Sequence, residues 1–69
     1  MNLPLPVSNV RCTWRPGSTT HVHVRHLEDI VEVPFERVVR LFGRVALEAM
    51  YLRGTFSWRP APGFVLYDL

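Results

Sequence analysis

The sequence predicts a small α+β domain of ββαββ order, with one amphipathic helix packed on an antiparallel sheet. Three observations predict it. Two short runs of alternating polarity flank Pro16-Gly17-Ser18 early in the chain. A central stretch with apolar residues at helical spacing opens at Pro34 and closes at Gly54. Two aromatic-bearing runs then flank Pro60-Ala61-Pro62-Gly63.

Taken in order, residues 1–9 read as an extended N-terminal arm, because Pro4 and Pro6 fix φ and remove backbone donors. A single domain is expected over residues 10–69. From Val10 to Arg15 the chain alternates, with Val10, Cys12 and Trp14 on one side and Arg11, Thr13 and Arg15 on the other. From His21 to Leu27 it alternates again, Val22 and Val24 inward, His21, His23 and Arg25 outward, so the two runs form a hairpin. Residues 28–33 fit either a short strand, through Ile30-Val31-Glu32-Val33, or an acidic approach to a helix N-terminus. Pro34 then disfavours helix at Val33 and suits a first helical position.

Residues 34–53 read as one helix. Phe35, Val38, Val39, Leu41, Phe42, Val45, Ala46, Ala49, Met50 and Leu52 fill one half of the wheel, and Glu36, Arg37, Arg40, Arg44 and Glu48 the other. Gly54 stands where helices end in a left-handed residue. Thr55 to Arg59 and Phe64 to Leu69 are the last two expected strands.

Sixty-nine residues allow one domain, near the lower limit for a self-sufficient core. The 48% hydrophobic content argues against disorder and favours a surface capped by a partner or by a second copy, as in a homodimer. The single cysteine, Cys12, excludes an internal disulfide and suits a reducing compartment. No apolar stretch approaches the ~20 residues of a membrane span, and the first residues lack a signal-peptide pattern. A cytoplasmic protein with no membrane partner is expected.

All eight basic residues are arginines. Codon bias in a GC-rich genome explains the absence of lysine, but not where the arginines fall. The net charge of +2 is too small for a strongly basic nucleic-acid surface.

Candidate chemistry is sparse. His21 and His23 share a strand face, but a zinc site needs three or four ligands, and Cys12 and His26 have the opposite parity. Two solvated histidines are the better reading, with no metal and no cofactor. Ser8, Ser18 and Ser57 lack nucleophile-elbow glycines, and no phosphate-binding glycine loop is present, so no catalytic residues are assigned and a non-enzyme is expected.

The helix carries the more informative anomaly. Gly43, Leu47 and Tyr51 recur every four residues beside Arg40 and Arg44. A glycine inside a helix costs about 1 kcal/mol against alanine, so a close backbone approach is the expected compensation. Tyrosine and arginine are enriched at protein interfaces. Arg40, Arg44, Leu47 and Tyr51 are therefore the predicted partner-binding residues, unless the stripe packs beneath the hairpins as core. A small, motif-free, aromatic-bearing domain resembles, in size and style, phage or mobile-element accessory proteins. That resemblance implies a non-catalytic viral-type regulator or inhibitor that binds a protein partner. The alternative is a nucleic-acid-binding regulator using Arg11, Arg15, His21, His23 and Arg25, although alternation separates those charges from Trp14.

Overall fold

Alternation in the first two runs produces the expected hairpin. In a computed structural model, which describes residues 9–69, β1 (Val10–Trp14) pairs antiparallel with β2 (His21–His26), placing Cys12 opposite Val24 and Trp14 opposite Val22. The arm expected over residues 1–9 lies, except for Asn9, outside the described residues. Val10, Cys12, Val22 and Val24 are fully buried. The connecting turn closes where the Ser18 amide donates to the Arg15 carbonyl at 2.9 Å. Pro16 pre-sets its second position and Gly17, at φ 77°, supplies the left-handed third, the pattern of a type II turn. Ser18 Oγ then accepts the amides of Thr20 and His21 at 3.2 and 3.1 Å, starting β2 in register.

The ambiguous stretch becomes a strand, β3 (Asp29–Pro34), paired antiparallel with β2. Only Leu27 and Glu28 connect them, and Leu27 takes φ 56°. Two-residue hairpin turns favour glycine or asparagine there, so the sequence carried no signal for this hairpin. Pro34 closes β3, and the Phe35 amide donates to the Thr20 carbonyl at 2.9 Å, tying the first helix to the β1–β2 loop.

The single helix expected over 34–53 is instead two, α1 (Phe35–Phe42) and α2 (Arg44–Arg53). Gly43 breaks it at φ 68°, ψ −144°, a backbone conformation almost restricted to glycine. A Cβ at Gly43 would meet nothing within 4 Å. The reason for the glycine is thus its backbone conformation, and the close backbone approach expected from the sequence is absent. The break also resets the helical phase. Phe35 and Val38 of α1, and Ala46 and Met50 of α2, enter the core, while Leu41, Val45 and Leu52 of the expected apolar half are exposed. Gly54, at φ 75°, ends α2 as expected, its amide donating to the Met50 carbonyl.

The chain returns as β4 (Thr55–Trp58), paired antiparallel with β1, giving the sheet order β3-β2-β1-β4. The last expected strand, 64–69, does not form. After two prolines that cannot donate to a ladder, the chain crosses beneath the sheet and ends in a short 3₁₀ turn, Leu66–Asp68. Leu66 is buried and Phe64 and Leu69 pack against the core, so the alternation that looked like a strand belongs to a covering segment. Arg37 fastens it by donating to the main-chain oxygen of Leu69 at 2.7 Å. The molecule is a small α+β domain, with both helices and the C-terminal segment on one face of a four-stranded antiparallel sheet and, among the described residues, nothing covering the other face. Among the described residues, no helix is long and apolar enough to cross a membrane.

Candidate functional site

On the helix-covered side, three aromatic rings form a cluster at the end of the sheet where the β1–β2 loop emerges. Trp14 leaves β1 inward and meets Phe35 at 4.7 Å and Tyr51 at 5.7 Å between ring centroids; Phe35 and Tyr51 stand 6.0 Å apart. Trp14 Nε1 donates to the Met50 carbonyl at 3.2 Å, the same oxygen that accepts the Gly54 amide. This bond ties β1 to the last turns of α2 and fixes the indole. Tyr51 nevertheless remains 66% exposed, and Leu47, one turn earlier, 38%.

The two side chains form one wall of an open, largely apolar groove. Phe35, Glu36, Val39 and Arg40 of α1 form the other wall, and Thr19, Thr20 and His21 close the end. Of the four predicted partner-binding residues, Arg40, Leu47 and Tyr51 are brought together here. Arg44 is not: it points to solvent and sits 4.0 Å from Glu48. Arg40 is also exposed, its guanidinium 4.0 Å from Glu36. Such surface pairs contribute little and leave the arginine free to re-pair. The Gly43/Leu47/Tyr51 stripe is therefore neither core nor a packing seam. Gly43 breaks the helix, and the other two residues line a groove.

The open sheet face has a different character. The pairing register builds rows across it: Ile30, Arg25, Arg11 and Ser57 in one, and Glu32, His23, Thr13 and Thr55 in the next. Neither row contains a Phe, Tyr or Trp, so among the described residues this face lacks the broad stacking platform that single-strand nucleic-acid binders use. Glu32 accepts from Arg15 at 3.2 Å and lies 3.2 Å from His23 Nε2. The hydrogen bond from His23, reinforced by Arg15, lowers the Glu32 carboxyl below its ordinary pKa of 4.5. His21 lies apart from these groups, beside Thr20 Oγ1 at 3.0 Å, and lines the apolar groove.

The five residues predicted for nucleic acid thus divide. Arg15 and His23 are matched by Glu32, His21 faces elsewhere, and Arg11 and Arg25 remain as a directly opposed pair. That pairing depends on register, which a six-residue loop does not dictate, so sequence reasoning missed it.

Cys12 is fully buried between these surfaces, and burial pushes its thiol up to about 11. A thiol so placed is a poor nucleophile and a poor ligand at neutral pH. Among the described residues, no three His, Cys, Asp or Glu side chains gather closely enough to hold a metal ion. Comparison with known protein families, curated proteins and solved structures returns no match.

Proposed function

We propose that the chain is a non-catalytic protein-binding module that modulates or inhibits its partner through the groove between α1 and α2. The observation that carries this reading is the state of Leu47 and Tyr51. They are large, apolar and exposed, yet stand on a rigid base, because Trp14 is held by its bond to the Met50 carbonyl and Phe35 is buried. Ordered aromatic anchors lose little conformational freedom on association, which favours binding. A partner that fits presents an apolar side chain to Leu47 and Tyr51 and a carboxylate to Arg40. The small, motif-free, phage-accessory style of the chain agrees with a blocking role.

The test compares proteins captured from a lysate of the producing cells by the native chain and by a Leu47→Gln/Arg40→Gln variant. Tyr51 is left intact because its ring also packs on Trp14 and Phe35. Loss of a captured protein, with an unchanged circular-dichroism spectrum, supports the reading. An identical captured set refutes it. Light scattering on the purified chain separates a second copy from a different protein as the occupant.

A further inference from the structure

We infer that the open sheet face holds an anion site for a phosphoryl group, centred on Arg11 and Arg25. The two arginines are direct cross-strand neighbours on β1 and β2, so their Cβ atoms lie about 5 Å apart on one face. Like charges in that position destabilise a sheet. Nothing on the face offsets them: among the described residues neither arginine forms an ion pair, and the neighbouring carboxylate, Glu32, is engaged by Arg15 and His23. β1 and β2 are also the inner strands of the sheet, where a repulsive pair is hardest to splay apart.

The surroundings supply donors. Arg11 and Arg25 line a shallow concavity with Asn9, Thr13, His23 and Ser57, and Leu27 is its one aliphatic wall. Ser57 is directly opposite Arg11 on β4, and Thr13 directly opposite His23. Two arginines and two hydroxyl-bearing residues therefore line one concavity. A carboxylate, with two oxygens, satisfies one fork; a phosphoryl group, with three or more, satisfies both and still accepts from the hydroxyls. Free phosphate and a phosphomonoester offer three or more such oxygens, while the phosphodiester of a single-stranded nucleic acid offers two unesterified oxygens and two weaker ester acceptors. The missing aromatic platform means that any strand held here is gripped by its backbone, without base stacking.

The site makes the arginine pair unfavourable when empty and favourable when filled, and the experiment reads both signs. Thermal unfolding is followed in chloride and in phosphate at about 5 mM and matched ionic strength, below the range of general salting effects. The native chain is compared with Arg11→Gln and Arg25→Gln, and with Arg44→Gln as a control on the other side. In chloride, Arg11→Gln and Arg25→Gln should each raise the unfolding midpoint by about 2–5 °C, by removing the like-charge contact. Phosphate should raise the midpoint of the native chain and of Arg44→Gln, and leave the other two unmoved.

An equal phosphate shift in all four proteins, or a lower midpoint for Arg11→Gln in chloride, would overturn the site. A thymidine oligonucleotide distinguishes the sources. Binding that weakens with salt at a slope of about −0.7, as for one phosphate, and disappears in Arg11→Gln identifies a phosphodiester ligand. A phosphate shift without oligonucleotide binding identifies a free phosphate or phosphomonoester. Absence of both refutes the inference. The groove variants of the previous subsection lie on the opposite side of the sheet, so either proposal can fail without the other.

Discussion

Replacing Gly43 by alanine gives a result whose sign depends on the backbone between α1 and α2. If 34–53 were a continuous helix, alanine would be the better helix former and would stabilise the protein by about 1 kcal/mol. At φ 68° and ψ −144° the same substitution forces a Cβ into a conformation that costs roughly 1–3 kcal/mol. A smaller gain opposes this, because alanine restricts the unfolded chain by about 0.4–1 kcal/mol. No steric term enters, since nothing lies within 4 Å of the added atom. The net expectation is a loss of about 1–2 kcal/mol, or a midpoint lowered by about 5–15 °C in a domain of this size. Thermal unfolding followed by far-ultraviolet circular dichroism measures it. A midpoint raised by several degrees would refute the break, and with it the helical phase that leaves Leu47 and Tyr51 in the groove.

Three further predictions concern two titrating groups. Cys12, buried and with its thiol raised to about 11, should resist alkylation in the native protein at neutral pH and react at once in denaturant; rapid native labelling would show that the β1–β4 core opens readily. Because its folded pKa lies above the ordinary 9.0, Cys12 should also weaken the fold as pH rises from about 9 towards 11, a dependence absent in Cys12→Ala. Glu32 has the opposite sign. Its folded pKa is depressed, so its contribution is present above about pH 4.5 and is lost as pH falls through the lowered value. Glu32→Gln should therefore show a shallower loss of stability in acid than the native chain, and superimposable acid curves would mean that the His23–Glu32–Arg15 contact does not form in solution.

The parts of the fold legible in the sequence are those where one local rule acts alone. Val10, Cys12, Trp14, Val22 and Val24 alternate against a sheet with one buried face, and all but Trp14 are fully buried. Gly54 ends the helical region where its backbone preference requires, whereas Pro34, at ψ 137°, stays extended as the last residue of β3, so the helix begins one residue later than expected. Errors arose where two structures share a pattern. Phe64 and Leu66 alternate with exposed neighbours equally well in a strand and in a segment that crosses beneath a sheet. An interior glycine lowers helical propensity whether the helix continues or breaks, so Gly43 alone does not separate the two.

At the candidate sites, Arg40, Leu47 and Tyr51 could be grouped because they share helical spacing, and the groove keeps them together despite the break. Arg44 shares that spacing too, but its place next to Gly43 turns it to solvent beside Glu48. The Arg11–Arg25 contact was hidden for a different reason. Parity placed both on one face, but only strand register makes them neighbours. The role of Glu32 was hidden with it, because residues 28–33 had no settled element and so no defined row.

The central claim is that the groove between α1 and α2, and no other part of the surface, meets a protein partner. Photo-crosslinking tests it most directly, using a benzoylphenylalanine placed singly at Leu47, at Arg44 or at Thr13. The expected result is one crosslinked protein from Leu47, little from Arg44, which lies outside the groove, and none from Thr13 on the opposite sheet face. Crosslinking of that protein from Thr13 with none from Leu47 would contradict the account and move the interface to the arginine face.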